Sequence, residues 1–287
     1  MKRLTVFTPT YNREKLLGRV YESLVLQDSQ DFKWRIVDDG SKDNTKSVVE
    51  GFISEGKIDI VYVYTENGGK MRAHNVATSM CDTELFLCLD SDDWLKEGSV
   101  SKLIDTWDEI SRDSSSKPYA GIISHKGKSD TELLSGVEFP EGIKNSSLYN
   151  LYLNGFRGET TIMFKTEVIK SFPFPEIENE KYVPEDYIYD KIDMNYVYYI
   201  FPEITTICEI MENGYTDSVK ELKIRNKEAF YLYYEQRARI TPISLLKLKY
   251  AGFYAKFAKL TGKNVFDTKL SKLFVIAGIA ASKFIKD

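Results

Sequence analysis

The stretch LFLCLDSDDWL, Leu85–Leu95, places three aspartates directly behind five apolar residues. A short apolar run of this kind is typical of a strand buried within a sheet. Carboxylates so close in the chain repel one another, so the cluster indicates a cation or another compensating group nearby. The stretch therefore predicts a buried strand that ends in a charged site.

Three similar apolar segments precede this one, and each ends in polar or turn residues. They are LTVFTP from Leu4, WRIVDD from Trp34 and DIVYVYT from Asp59. Segments with helical spacing of apolar residues lie between the strands: REKLLGRVYESLVLQ from Arg13, KDNTKSVVEGFISEG from Lys42 and KMRAHNVATSMC from Lys70. This alternation predicts an α/β fold with a mainly parallel sheet flanked by helices, connected by right-handed βαβ units.

Ligands of such sheets bind outside the carboxyl ends of the strands. Four polar clusters stand at these ends: Pro9–Arg13, Asp38–Ser41, Glu66–Lys70 and Asp90–Asp93. Because parallel strands end at the same edge, all four clusters are expected on one rim. The pattern thus predicts one composite binding site rather than four separate turns.

The aspartates of the fourth cluster allow two interpretations. Alternate side chains of a strand face the same way, so Asp90 and Asp92 would converge and Asp93 would be left to the turn. Two such carboxylates suit Mg²⁺ or Mn²⁺ shared with phosphates. In the other interpretation, Asp92 or Asp93 caps a helix that starts near Trp94. Capping accounts for one aspartate, so we favour the metal.

The other clusters offer groups that suit a nucleoside diphosphate. Tyr11 supplies an aromatic face, Asp39 can accept from a base NH, and Lys70 and Arg72 are cations for phosphates. The glycine pair before Lys70 permits close backbone approach. Neither a GxxxxGK[ST] nor a GxGxxG motif occurs in the sequence. The composite site is therefore predicted to bind a nucleoside diphosphate with a metal ion.

FTPTYNR, VDDGSKDNT, NGGKMRAHN and LDSDDW follow one another at fitting distances. This ordered set closely resembles the family 2 glycosyltransferases, inverting enzymes with the GT-A fold. The resemblance covers roughly residues 3–105 strongly, and VPEDYIYDKI and MENGYTDS extend it more weakly into the acceptor side. It implies a Rossmann-like sheet with a helical C-terminal extension.

The resemblance also implies roles for individual residues. Thr10 and Tyr11 would hold the uracil and ribose of a UDP-sugar, and Asp39 would bond the base. Asp92, with Asp90, would bind Mn²⁺ or Mg²⁺. The residues expected to bind the donor are Pro9, Thr10, Tyr11, Arg13, Asp39, Gly69, Lys70, Asp90 and Ser91. Asp186 would be the catalytic base, with Glu185 as its neighbour or substitute; without the family, this acidic pair would be plain N-terminal helix charge.

The implied function is transfer of a sugar, a hexose or N-acetylhexosamine, to a saccharide or lipid-linked saccharide acceptor in bacterial surface polysaccharide synthesis, such as capsule or lipopolysaccharide. Two alternatives remain open: a nucleotidyltransferase that makes a nucleotide sugar, and a non-catalytic nucleotide-sugar-binding protein. No QxxRW motif of processive members occurs. His74 is interpreted as structural or supporting rather than as a metal ligand.

Composition and charge narrow the partners. The chain has 287 residues, of which 43% are hydrophobic and 29% charged, with three cysteines and a net charge of −4. The sequence contains no signal peptide and no apolar run near the roughly 20 residues that a membrane span needs. We therefore expect a cytoplasmic location, with the inner face of the cell membrane as a candidate site within it. Residues 241–287 carry +7 and residues 1–240 carry −11. The acidic body argues against nucleic acid as its partner.

The expected organisation has three parts. Residues 1–105 would form the nucleotide-sugar-binding half of the GT-A domain, 106–225 the acceptor-binding half, and 226–287 a basic helical C-terminal extension. Lysines alternate with Leu, Tyr and Phe in 240–287. Three interpretations of this tail stay open: peripheral contact with a membrane, a cap packed on the catalytic domain, and a homo-oligomer contact.

Overall fold

The computed structural model describes residues 2–112, 117–209 and 219–285. The chain forms two compact units, Met1–Pro173 with Ile188–Met211, and Phe174–Tyr187 with Glu212–Asp287. The first unit contains the expected first part and most of the expected second part. Residues 174–187, from the middle of the chain, group instead with the C-terminal helices, as do residues 219–225.

The first unit opens with four strands that alternate with three helices, as the sequence pattern predicts. These elements are β1 Leu4–Thr10, α1 Leu17–Val25, β2 Phe32–Asp38, α2 Thr45–Glu55, β3 Ile60–Tyr64, α3 Lys70–Ser79 and β4 Leu85–Cys88. Its later elements are β5 Asp93–Leu95, α4 Ser99–Ile110, β6 Tyr119–Gly127, β7 Asn145–Ser146, α5 Leu148–Leu153, β8 Thr160–Lys165, α6 Thr166–Lys170, α7 Asp186–Asp193 (which begins in the second unit) and β9 Val197–Cys208.

Within the described residues, the strands join one sheet in the order β3-β2-β1-β4-β8-β6-β9-β5, with β7 paired to β9. Strands β1 to β4 run parallel to one another. Strand β8 is antiparallel to both β4 and β6, whereas β9 is parallel to β6. The predicted mainly parallel sheet is confirmed for the first half, and antiparallel β8 joins it to the second.

The core of the first unit lies between this sheet and its helices. Trp34 and Leu87 on the sheet are fully buried, as are Val20 of α1 and Val100 of α4. Trp34 stacks on Tyr21, and its indole NH donates to the Thr8 hydroxyl at 2.9 Å. The continuous apolar strands are thus explained, because burial leaves little room for polar side chains on them.

The aspartates of the opening stretch depart from the expected strand geometry. Strand β4 ends at Cys88, so Asp90 to Asp92 lie in a turn, and strand alternation does not set their directions. No helix begins near Trp94, because 93–95 form strand β5 and helix α4 begins at Ser99. Pairing with β9 turns this segment back into the sheet. The helix-capping interpretation is therefore wrong.

The second unit is built mainly of helices: α8 Val219–Arg225, α9 Lys227–Ile240, α10 Leu245–Thr261 and α11 Lys272–Ala281. Its core includes fully buried Tyr254 and Ala258 of α10, packed with Tyr234 of α9 and Val275 of α11. The Glu180 carboxylate accepts from the backbone N–H groups of Glu228 and Ala229, both at 2.8 Å. Residues 174–187 are thereby tied to the start of α9.

The helical C-terminal extension is confirmed, and it has an apolar core of its own. Of the helices that the structure describes, none combines the length and apolar character needed to cross a membrane.

Gly121 allows β6 and β8 to approach closely. A Cβ atom there would lie 1.9 Å from the Met163 carbonyl oxygen, at a register shift of β6 against β9. We expect Gly121→Ala to lower the free energy of unfolding by at least about 2 kcal/mol, because backbone rather than a flexible side chain must move. Urea denaturation followed by circular dichroism measures the change.

The matched control is Gly51→Ala, because no atom lies within 4 Å of a Cβ added at Gly51 in helix α2. Alanine should stabilise this helix by about 0.5–1 kcal/mol. Equal stability of the Gly121→Ala variant and the unsubstituted protein would contradict the close packing of β6 on β8.

Candidate active site

The four predicted polar clusters meet at one edge of the first unit, as parallel pairing of β1 to β4 requires. Thr10 lies opposite Asp38 at the last position of the β1–β2 pairing. The Asn12 amide N–H donates to the Ser41 hydroxyl at 2.8 Å, and the Asn12 side chain accepts from the Lys42 N–H at 2.8 Å. The loops after β1 and β2 are therefore one bonded structure.

Asp39 binds the loop that precedes α3. Its carboxylate accepts from the N–H groups of Gly68 at 2.6 Å and Gly69 at 2.8 Å, and from the Asn67 side chain at 3.0 Å. Gly69 has a φ of +94°, a backbone conformation that favours glycine. The buried carboxylate thus shapes the glycine loop, while its predicted bond to a nucleotide base stays a prediction.

Lys70 and Asp90 join the glycine loop to the aspartate turn. The Lys70 Nζ lies 2.7 Å from Asp90 Oδ1. Burial alone would raise the pKa of Asp90, but the Lys70 and Lys126 charges outweigh it and hold that pKa below its ordinary value. The carboxylate is therefore ionised at neutral pH, and Lys70 is the nearest charge that offsets it.

Asp93 is held apart from the other aspartates by an ion pair beneath the turn. The Lys126 Nζ of β6 lies 2.8 Å from Asp93 Oδ2. Burial raises the pKa of Asp93, and Lys126 offsets this only in part. Burial also raises the pKa of the Cys208 thiol, whose interaction with Asp93 adds to that effect. Asp93 is thus a buried structural group at the start of β5, and not the turn residue that was expected.

Arg19 of helix α1 forms a hydrogen bond to the backbone of the aspartate turn. Its Nη2 donates to the Asp92 carbonyl oxygen at 3.0 Å, and its Nη1 lies 2.5 Å from the Glu209 carboxylate. The guanidinium lies over the Trp94 ring, 4.2 Å from the centroid. These contacts fix the main chain of Asp92, whose half-buried side chain makes no hydrogen bond or ion pair within the described residues.

The remaining donor-site candidates occupy the loop after β1 and the turn itself. Tyr11 is 45% exposed, so its ring is accessible to a ligand. The Thr10 hydroxyl is buried at the end of β1 and has no hydrogen-bond partner in the described part of the chain. Arg13 donates its main-chain N–H to the Thr45 hydroxyl at 3.0 Å. Pro9 and Ser91 are buried at the same edge.

Glu185 and Asp186, the predicted bases, belong to the second unit. Asp186 is the first residue of α7, and its Oδ2 lies 2.8 Å from the Nη2 of Arg237, a side chain that is only 4% exposed. The Tyr233 hydroxyl donates to the same oxygen at 3.4 Å. Asp186 therefore compensates a buried guanidinium, in addition to any catalytic role.

His74 has the structural role expected of it. It is buried edge-on against Phe7 and Phe86, with ring centroids 5.8 and 5.3 Å away. Burial, with a smaller effect of Lys70, lowers the pKa of His74 to about 3. The imidazole is therefore neutral at physiological pH and packs as an aromatic core residue.

Sequence reasoning did not find Arg19 or Lys126. They lie 73 and 33 residues from their partners in the aspartate turn. Lys126 comes directly after the apolar run AGIISH in the sequence, and a lysine at that position is typical of an exposed strand end, although it lies within β6. The one feature of the sequence that could have pointed to Lys126 is the aspartate cluster itself, because buried aspartates require a cation nearby.

The fold and much of the sequence have known counterparts. The profile described as Glycosyl transferase family 2 matches residues 5–162. The curated TarS of Staphylococcus aureus, a poly(ribitol-phosphate) beta-N-acetylglucosaminyltransferase, is 32% identical over 102 residues, which are 35% of this chain and 18% of TarS. The GalNAc(5)-diNAcBac-PP-undecaprenol beta-1,3-glucosyltransferase of Campylobacter jejuni is 27% identical over 274 residues, 90% of this chain and 84% of the relative.

Solved structures share the fold at low identity. TarS residues 1–349 with UDP-GlcNAc has a TM-score of 0.63 and 19% identity over 97% of this chain and 79% of that one. The mannosyltransferase PcManGT of Pyrobaculum calidifontis, solved with GDP-Man and Mn²⁺, has a TM-score of 0.60 and 18% identity over 99% of this chain and 81% of that one. Because the family profile matches more than half of its residues, this chain belongs to glycosyl transferase family 2, and its fold is GT-A.

Proposed function

We propose that the chain transfers a sugar from a UDP-sugar to an acceptor hydroxyl, with inversion at the anomeric carbon. The observation that carries this proposal is the meeting of the aspartate turn with Lys70 and the loops after β1 and β2. An ionised carboxylate, a cation and an accessible aromatic ring at one sheet edge suit a nucleotide diphosphate.

The relatives support the choice of donor. TarS, which this chain matches over 18% of the TarS length, has been solved with UDP and with UDP-GlcNAc. PcManGT was solved with a GDP-sugar, so guanosine donors belong in the same test. We propose a hexosyl or N-acetylhexosaminyl UDP-sugar as the donor.

The acceptor that we propose is a saccharide or a lipid-linked saccharide. The name of the Campylobacter relative states an undecaprenol-linked saccharide as its substrate. The name of TarS states a poly(ribitol phosphate). Both point to bacterial surface polysaccharides, and we place the reaction at the inner face of the cell membrane, where lipid-linked precursors are available.

The donor set at the turn fits Mn²⁺ or Mg²⁺ shared with a substrate. Asp92 and Asp90 would hold the ion, and no cluster of three or more ligating side chains exists among the described residues. Mg²⁺ typically takes one or two protein carboxylates and completes its shell with phosphates and water, and Mn²⁺ prefers similar oxygen ligands. When bound, the ion would neutralise charge on the departing diphosphate.

The chain's own residues would perform the proton transfer and the positioning. The acceptor oxygen forms a bond to the anomeric carbon while the bond to the diphosphate oxygen breaks, so UDP leaves from the opposite face. The acceptor proton passes to the carboxylate of Asp186, or to Glu185 as the alternative base. Lys70 shares the charge of the leaving diphosphate, and orientation of both substrates lowers the barrier further.

A donor screen tests the proposal directly. UDP-, GDP- and dTDP-sugars are supplied with Mn²⁺ and saccharide acceptors, and the released products are identified. We expect free UDP together with a glycosylated acceptor. Release of pyrophosphate would instead indicate a nucleotidyltransferase, and binding without any product would indicate a non-catalytic protein.

Asp92→Asn should reduce transfer by at least about a hundredfold, because a metal ion contributes several kcal/mol to charge stabilisation. It should also weaken the binding of UDP in the presence of Mn²⁺. Isothermal titration with UDP, with and without MnCl₂, measures this effect.

Asp59→Asn is the matched control, since Asp59 is an exposed aspartate of the first unit outside the predicted site. Its turnover and titration should equal those of the unsubstituted protein. If the Asp92→Asn variant still bound UDP in a Mn²⁺-dependent manner, the assignment of Asp92 as a metal ligand would be wrong.

Asp186→Asn should lower turnover by about 10²–10⁴-fold while UDP binding persists, since a general base acts on the acceptor rather than on the donor. Because Asp186 also pairs with buried Arg237, the melting temperature is measured beside the kinetics, which are recorded well below the transition. Glu185→Gln is measured in parallel to decide between the two bases.

Glu178→Gln serves as the control, because Glu178 is an exposed acid of the same segment. Unchanged turnover in Asp186→Asn would remove Asp186 as the base. A large loss in Glu185→Gln alone would transfer the role to Glu185.

A further inference from the structure

The second unit contains a cavity of about 400 Å³, a volume within the range of small-ligand sites. Three cations line it, Arg239, Lys247 and Lys269, together with apolar residues that include Ile243 and Phe274. No acid is among the described residues that line it. The cavity is therefore positive on its polar side and apolar on the other.

Lys247 is the buried cation of this cavity, with 8% of its surface exposed. Its Nζ donates to the carbonyl oxygens of Thr241 at 2.9 Å and Arg239 at 3.2 Å, and it lies over the Phe274 ring. In the described part of the chain no carboxylate forms an ion pair with it. Burial lowers the pKa of Lys247. Two carbonyl dipoles and an aromatic ring, rather than a carboxylate, offset its charge, which favours an anion at this wall.

The other two cations are exposed at the same cavity. Arg239 Nη1 lies 3.4 Å from the Glu235 carboxylate, which also accepts from the Thr268 hydroxyl at 2.6 Å. Lys269 forms no ion pair with any described residue. Among the described residues, one carboxylate, which also accepts from a hydroxyl, thus pairs with one of the three cations, and a phosphate would balance the excess charge.

An apolar rim stands on the surface beside the cavity. It consists of Ile243, Leu245, Leu273 and Ile276, which are 84%, 86%, 74% and 59% exposed. Helix α11 carries two of these residues on the side away from Val275, which is buried in the core. A helix that is apolar on its outer face as well requires an apolar covering.

We propose that the cavity binds the phosphate of an anionic lipid headgroup while the apolar rim enters the surface of the bilayer. The net charge of +7 on residues 241–287 complements an anionic membrane surface. A free phosphate would satisfy the cations and leave the rim exposed to water, so a phosphate that carries acyl chains fits both halves. No described residue that lines the cavity is among the predicted donor-binding or catalytic residues, so the proposal extends the function to membrane docking.

Vesicle co-sedimentation with the full chain tests the proposal. One vesicle set contains phosphatidylcholine with phosphatidic acid, and the other contains phosphatidylcholine with oleate at matched surface charge. We expect tighter binding to the phosphatidic acid set. The variant Arg239→Gln with Lys269→Gln should lose about tenfold or more of this binding. Lys247 is left unchanged, because its ammonium holds the end of α9.

The charge-matched control is Lys249→Gln with Lys259→Gln, two exposed lysines of the same unit that do not line the cavity. A smaller loss is expected there. Equal losses in both double variants, or equal binding to both vesicle sets, would reduce the effect to diffuse charge and overturn the proposal.

The apolar half is tested with Leu273→Gln, which should weaken sedimentation, against Leu26→Gln in the first unit, 68% exposed, which should not. Tight binding of inorganic phosphate in solution without vesicle binding would overturn the lipid assignment, as would concentration-dependent dimers that Leu273→Gln abolishes. UDP titration of every variant should be unchanged, so failure of the docking site is distinguishable from failure of the proposed transferase.

Discussion

Compensation of the carboxylates after β4 is the constraint on which the rest of the first unit depends. The half-buried Asp90 lies in the turn after β4 and the buried Asp93 begins β5, and each has its own lysine, Lys70 and Lys126, at 2.7 and 2.8 Å. Without these cations, burial and mutual repulsion would favour the protonated acids. The two lysines come from α3 and β6, so the charge balance also ties both halves of the sheet to this turn.

The rim separates residues that build the site from those that remain accessible to a ligand. The carboxylate of Asp39 is used by the glycine loop, and the backbone of Asp92 is held by Arg19. Tyr11 presents its ring to solvent, whereas the Thr10 hydroxyl beside it is buried and has no partner within the described residues. Rigid support beneath an accessible side chain is the arrangement that orients a reacting substrate.

The second unit contains two buried cations whose charges are compensated in different ways. Its buried Arg237 is paired with the carboxylate of Asp186, whereas its buried Lys247 contacts two carbonyl oxygens and the Phe274 ring and forms no ion pair among the described residues. A paired cation is a structural element, and an unbalanced one beside a cavity and an exposed apolar rim indicates a ligand. This difference connects the positive charge of residues 241–287 to the proposed phosphate site rather than to diffuse electrostatic attraction.

The pattern of residues along the chain is enough to specify the parallel half of the fold and the rim. The apolar strands from Leu4 to Leu89 alternate with helices, and parallel strands must end at one edge, so Asp39, Lys70 and Asp90 had to lie near one another. The ordered motifs also indicated the family. These features leave a periodic or ordered trace in the chain, because local spacing sets them.

The roles of the aspartates depend on contacts that form only in the folded chain. The strand ends at Cys88, so the expected alternation of Asp90 and Asp92 does not apply, and Asp93 returns to the sheet as part of β5. Arg19, Lys126 and the grouping of residues 174–187 with α9 depend on partners at least 33 residues away. Such contacts leave no period in the sequence, because they form only when distant elements pack and a buried charge must find its partner.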